Sequence, residues 1–485
     1  MKIFNNQTAI IANNQHYSYQ ELQDESNQIA FQLLGNDSDL LETRVAFMIE
    51  PSFEYVAVQW GIWKAGGVAV PLCVSYPLDS LVYVLADTQA KIIVVTSAFE
   101  QVLQQYAFDN NIKLIILGQN KLLNNKHLPQ IKSSRRAMIL YTSGTTNLPK
   151  GVVTTHENLE AQISTLIKSW QYSDKDHTLC ILPLHHVHGI INVISCTLWA
   201  GGTVEFLSNF SAEAVFEVFK KKQLNVFMAV PTIYFKLIAY LETLNADSQN
   251  DLFKVMQKFR LMVSGSAALP VSVMEKWEKL SGHRLLERYG MTELGMAISN
   301  PYLGERRAGH IGQPLEGVSV RLVDEQNIEV ESGQAGEIQV KGANVFKDYW
   351  QKETATQETF TADGWFKTGD VAIINDGYFK ILGRSSIDII KSGGYKISAL
   401  EIEEVLRTHP NIKDCSVVGI DNEEWGELIS AALIADDNTL NLSDLNNWIR
   451  QKMPAYKIPR KYIFMEDFPR NIMGKVVKNE LKKLF

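Results

Sequence analysis

Residues 44–73, RVAFMIEPSFEYVAVQWGIWKAGGVAVPLC, change their hydrophobic period twice. RVAFMIE reads as a strand, SFEYVAVQWGIWKAG as a helix ended by glycine, and GVAVPLC as a second strand. The pair repeats in LDSLVYVLADTQ (78–89) and KIIVV (91–95). It returns in NVFMAV (225–230), PTIYFKLIAYLETL (231–244), RLMVSG (260–265) and PVSVMEKWEKLSG (270–282). Apolar strands alternating with amphipathic helices need cover on both faces, so an α/β fold with mostly parallel or mixed sheets and flanking helices is expected. Ligands in such sheets sit beyond the carboxyl ends of the strands. LYTSG (140–144) and RLMVSGSA (260–267) both run from an apolar strand into a loop of small residues, which is where a nucleotide would be held.

The bulk numbers narrow the classes. With 485 residues, two to four domains and a large core are expected. A net charge of −7 argues against a nucleic-acid partner, which needs a concentrated basic face. Four scattered cysteines (Cys73, Cys180, Cys196, Cys415) form no C-x-x-C pair, so neither a disulfide framework nor a structural zinc is expected. No apolar run is long enough to span a membrane. The first residues, MKIFNNQTAIIANNQHYSYQELQ, do not read as a presequence, and the expected location is the cytoplasm. After about residue 384 the pattern becomes a short mixed one. SALEIEEVLRTHP reads as a helix with a capping box, Ser398 and Glu401, stopped by Pro410. We therefore divide the chain into 1–384 and a small α+β domain, 385–485.

The loop LYTSGTTNLPKGVV, 140–153, carries hydroxyls, a glycine and Lys150 between apolar flanks. It is not a Walker A loop, because Pro149 stands where the second glycine belongs and Gly151 where the magnesium-binding hydroxyl should be. Hydroxyl donors and a glycine that lets backbone amides approach an anion still suit phosphate. The loop resembles the phosphate loop of the adenylate-forming superfamily, which includes acyl-CoA synthetases, adenylation domains and firefly-type luciferases. Asn147 replaces a usual glycine, and asparagine tolerates the left-handed backbone such a turn needs.

That resemblance extends along the chain and implies roles. Thr142, Ser143, Gly144, Thr145, Thr146 and Lys150 would bind the phosphates of ATP, with Ser266 also on the ATP side. In LLERYGMTELG (285–295), read as strand–turn–helix, Tyr289 would stack on adenine, Thr292 would bond the α-phosphate and Glu293 would hold Mg²⁺. Asp370 in FKTGD and Arg384 in GRSSIDIIKSGGYKIS would meet the ribose. A small mobile C-terminal domain would turn about a hinge at Ser386, where relatives carry Asp or Lys. PRNIMGKV (469–476) would supply the catalytic Lys475, and Gly393 and Gly394 would face the pantetheine arm of CoA. The implied substrates are a small carboxylic acid, ATP and CoA.

Two segments bear on the acid. LPLHHVHGIIN (182–192) places His186 near the acyl pocket by resemblance; a metal reading, with His186 and His188 on one strand face, is the alternative. Arg288 beside the pocket needs an anionic partner. That partner is either an internal acid such as Glu287 or a second carboxylate on the substrate. LPLHHVHG, NVFMAVPTIY, RLMVSGSAALP, ERYGMTELGMAISNP and DIIKSGGYKISALEIE look most like malonyl-CoA synthetases of the mitochondrial type, in which the matching arginine holds the distal carboxylate. Malonate, with methylmalonate as a close homologue, is the expected acid. The other readings are a short- or medium-chain monocarboxylate–CoA ligase, an adenylation enzyme loading a carrier protein in trans, and a nucleotide-binding sensor. No G-x-S-x-G, G-x-G-x-x-G or H-E-x-x-H pattern points to another enzyme class.

Overall fold

A computed structural model of the chain describes residues 6–118, 127–142, 149–207, 209–435, 440–470 and 475–485. The opening stretch forms the units read from it: strand Arg44–Met48, helix Phe53–Lys64 and strand Val68–Pro71. Ser52 starts that helix by accepting the amide of Tyr55, which satisfies a donor the helix cannot use. These strands lie in a seven-stranded sheet whose order is 348–349, 150–155, 136–142, 68–71, 44–48, 92–95, 113–116. Its middle is parallel, and 150–155 turns back antiparallel on 136–142.

A nine-stranded sheet runs 313–314, 295–299, 286–291, 261–264, 226–229, 177–180, 203–206, 8–12, 15–18. One apolar cluster joins the two sheets, taking Ile10 and Val263 from one and Val45 and Leu140 from the other. Here one reading changes. Leu286–Met291 is followed by a three-residue turn and the antiparallel strand Gly295–Ser299, a hairpin and not strand–turn–helix. Gly290 makes the hairpin possible, since a Cβ there would stand 2.0 Å from the Gly295 carbonyl oxygen.

A four-stranded antiparallel sheet (318–323, 336–342, 366–375, 378–384) ends at Arg384. The next strand, Ile389–Ser392, belongs to a five-stranded sheet with 395–398, 412–422, 426–435 and 461–464. Helices Ala399–Arg407 and Leu442–Arg450 pack on it around Ile402, Leu406, Val417, Ala431 and Leu445. Ser398 caps the first of these helices through the Glu401 amide, but the Glu401 carboxylate goes to Lys457 Nζ at 2.7 Å, so the expected capping box is only half made. The architecture is the expected α/β one with a smaller α+β sheet at the end. Among the described residues no helix is long and apolar enough to cross a membrane.

Candidate active site

Three polar groups gather along the 286–299 hairpin and the elements beside it. The first lies at the facing ends of strands 136–142 and 150–155, where Thr142 and Lys150 are paired. Ser143, Gly144, Thr145, Thr146 and Asn147 lie outside the described residues. Lys150 Nζ sits 5.0 Å from the centre of the Tyr349 ring, and Tyr349 Oη donates to Glu293 at 2.9 Å. Glu293 is buried in the hairpin turn beside half-buried Thr292. Burial raises its carboxyl pKa, and the Tyr349 hydrogen bond holds it down in part. Tyr349 escaped the sequence reading because nothing local marks it; its partner is 56 residues away.

The second group joins three expected residues. Tyr289 Oη donates to Asp370 at 2.6 Å, and Arg384 Nε lies 3.2 Å from the other Asp370 oxygen. Arg384 also donates to the Thr368 carbonyl at 2.9 Å. Carboxylate, phenol and guanidinium thus fix one another at the seam between the hairpin and the four-stranded sheet.

The third group is buried. Arg288 is 3% exposed, and a Cβ on Gly265 would lie 2.5 Å from its Cζ. Nη2 reaches Ser266 Oγ at 3.5 Å, and Nε has no hydrogen-bond partner among the described residues. Burial lowers the guanidinium pKa to about 9. Glu287 is not its ion-pair partner: neighbours along a strand point to opposite faces, and Glu287 instead accepts the Leu269 amide at 3.0 Å. There, burial raises the Glu287 carboxyl pKa to about 8. Among the described residues Arg288 has no ion pair. Ser266 holds φ +70°, a left-handed conformation rare for a residue with a side chain.

The histidines do not share a strand face. His185 and His186 lie in a turn with rings 4.0 Å apart, and His188 begins a π-helix, His188–Ser195. Burial lowers the His186 pKa to about 4 and the His185 pKa to about 3. Among the described residues no group of three His, Cys, Asp or Glu side chains is placed to hold a metal ion together.

The remaining expected residues sit on the C-terminal sheet and its approach. Ser386 is exposed in the link 385–388, where Asp388 accepts the Arg384 amide at 3.0 Å. Lys478 Nζ is 2.7 Å from both Asp388 and Glu403, and Lys475, exposed, is close enough to help lower the Asp388 pKa against burial. Gly393 and Gly394 form the turn after Ile389–Ser392, at φ +57° and +81°. Tyr395 beside them stacks on Tyr456 at 4.6 Å, and Arg460 lies 3.7 Å over the Trp425 ring.

The model of the AMP-binding enzyme family matches residues 2–350, and that of the AMP-binding enzyme C-terminal domain matches 401–475. The mitochondrial malonate–CoA ligase of Xenopus laevis is 43% identical over 99% of this chain and 90% of its own. A malonate–CoA ligase of Arabidopsis thaliana is 38% identical over 98% and 86%. ATP-bound MatB from Rhodopseudomonas palustris superposes with a TM-score of 0.91 at 32% identity, covering 99% of this chain and 96% of that one. The chain belongs to the AMP-binding enzyme family, as an AMP-forming acid–CoA ligase.

Proposed function

We propose that this chain joins malonate to CoA at the expense of ATP, giving malonyl-CoA, AMP and pyrophosphate. The observation that carries the choice of acid is Arg288: a buried guanidinium with no ion pair among the described residues, between Gly265 and Ser266. An unpaired buried charge is costly, and a dicarboxylic acid brings the missing anion in a shape the planar fork can bind.

The rest of the site serves two steps. Tyr289, Asp370 and Arg384 hold the nucleoside, while Thr142, Lys150 and the hydroxyls between them cradle the outer phosphates. With its distal carboxylate on Arg288, and His186 lining the acyl pocket, malonate presents the other carboxylate to the α-phosphorus. A carboxylate oxygen forms the new P–O bond, and the bond to pyrophosphate breaks. Thr292 and Lys475 meet the charge that develops on the α-phosphate; losing one such group costs roughly 10²–10³ in rate. Glu293 suits Mg²⁺, since a single desolvated carboxylate held by Tyr349 is what the ion needs when nucleotide phosphates and water supply the other ligands. Mg²⁺ bound there would neutralise the leaving pyrophosphate.

Residues 385–485 then turn about Ser386, withdrawing Lys475 and bringing the Gly393–Gly394 turn to the adenylate. The CoA thiolate attacks the acyl carbon and the C–O bond to AMP breaks. A Cβ on Gly394 would meet nothing within 4 Å, which leaves room for a slender pantetheine arm. The Tyr395–Tyr456 stack and Arg460 suit the nucleotide end of free CoA better than a carrier protein. Methylmalonate should be a slower second substrate, since one methyl is worth only ~1–3 kcal/mol in a pocket. A pyrophosphate-release panel of acetate, butyrate, octanoate, malonate, methylmalonate and succinate tests the reading. Malonate should lead by at least about tenfold; a butyrate or octanoate lead would assign Arg288 elsewhere.

A further inference from the structure

The helix Val271–Ser281 opens without a cap of its own. Pro270 stands at its N-cap and offers no side-chain acceptor, and no acid occupies the first turn. The first amides of a helix have no partner within it. Here the acceptor comes from 133 residues away: Glu404, on helix Ala399–Arg407, accepts the Val271 amide at 3.0 Å. Burial raises the Glu404 carboxyl pKa, and Arg407, the Val271 amide, Lys380 and the Ser272 amide hold it down in part. A carboxylate at that end also meets the positive pole of the helix dipole.

This contact crosses between the two parts of the chain. Val271 follows the loop 265–270, whose Gly265 and Ser266 border Arg288 and whose Leu269 amide goes to Glu287. Glu404 belongs to the part that carries Lys475. A second tie, Lys396 to Glu325 at 2.6 Å, joins side chains 61% and 71% exposed, and such surface pairs contribute little. The glycine turn shows which step this arrangement serves. Gly393, Gly394 and Tyr395 are exposed, and a Cβ on Gly393 would meet Trp425 of the same part. The turn is therefore not at the adenylate, and the arrangement is the one for the first step.

We propose that Glu404 is a positioning residue for adenylate formation: by capping helix 271–281 it latches residues 385–485 in the arrangement that presents Lys475, and it lets go when they turn. The proposal rests on the two-step reading above. Removing the cap leaves the chemistry of each step intact and changes the balance between the arrangements. One half-reaction scales with one population and the second with the other, so the ratio of their rates carries the whole shift whichever arrangement dominates.

Full-length wild type is compared with Glu404→Ala, Glu404→Gln, Val271→Pro and the Glu404→Ala/Val271→Pro pair. Proline removes the Val271 amide hydrogen, and it suits the first position of a helix. Pyrophosphate–ATP exchange follows the first half-reaction with whichever acid leads the panel, and rapid quench of its supplied adenylate with CoA follows the second. Glu404→Ala should lower the first-to-second ratio by about 3- to 30-fold, the worth of one helix cap. Glutamine, which still accepts a hydrogen bond, should fall less, and adding Glu404→Ala to Val271→Pro should cost less than it does in wild type. Should alanine unfold the protein, Glu404→Gln and Val271→Pro carry the same comparison. A ratio within about twofold of wild type in every variant, or losses that simply multiply in the pair, would overturn the latch while leaving two-step catalysis standing. Wild type that gives no acid-dependent exchange would take down the two-step reading and the latch with it.

Discussion

Replacing Arg288 by methionine should make the protein more stable and a far poorer ligase. At 3% exposure the guanidinium is almost wholly desolvated, and burial pulls its pKa down to about 9. At ~1.36 kcal/mol per pKa unit that corresponds to about 4–5 kcal/mol of penalty on the charged form. The folded value lies below the unfolded one, so the penalty is fully present at neutral pH and fades only as pH rises above about 9. Methionine fills similar volume without charge, and replacing buried ionic groups by apolar ones commonly stabilises by ~1–4 kcal/mol. The apparent Tm should rise by several degrees. Catalysis moves the other way, because the distal carboxylate of malonate is then stranded at a cost of ~3–5 kcal/mol, or roughly two to three and a half orders of magnitude in kcat/KM. Paired melting curves and pyrophosphate-release kinetics, with butyrate as control, read both effects. A variant that melts lower and still uses malonate within about threefold of wild type would refute the reasoning.

Other perturbations follow from the same geometry. Gly265→Ala pushes a methyl to within 2.5 Å of Arg288 Cζ, so malonate efficiency should fall at least about tenfold while butyrate changes little; equal losses would mean that the strand itself was damaged. Tyr349→Phe removes the bond that holds the Glu293 pKa down. The Mg²⁺ concentration for half-maximal rate should therefore rise, and more at pH 6 than at pH 8, whereas superimposable titrations would count against Glu293 as the metal ligand. Lys475→Ala should abolish adenylate formation yet leave thioester formation from supplied malonyl-AMP within about tenfold, a split that rapid-quench assays of each half-reaction resolve. His185 and His186 are held at about 3 and 4, so malonate kcat/KM should show no step from pocket histidines between pH 6 and 8; a histidine-like inflection that vanishes in His186→Asn would contradict this.

The sequence carried the parts whose signals are local. The alternation around residues 44–95 set the sheet, and the motif residues Tyr289, Asp370 and Arg384, 81 and 14 positions apart, meet in one hydrogen-bonded group. What it misread depends on direction and distance. LLERYGMTELG continues as a strand because Gly290 and Gly295 permit a tight antiparallel return, which an apolar count cannot distinguish from a helix start. Glu287 was a plausible partner for Arg288 by adjacency, yet strand alternation sends the two side chains to opposite faces. His186 and His188 suited a metal on spacing alone, and the π-helix removes that spacing. Tyr349 leaves no trace in composition or period, since it matters only through a neighbour far along the chain.

The account stands or falls on a carboxylate attacking the α-phosphorus before any thiol takes part. Purified protein given ATP, Mg²⁺, malonate and radiolabelled pyrophosphate, with CoA withheld, should return label to ATP, and omission of malonate should stop the exchange. Absence of exchange until CoA is added, or label that never enters ATP while ADP accumulates, would contradict it.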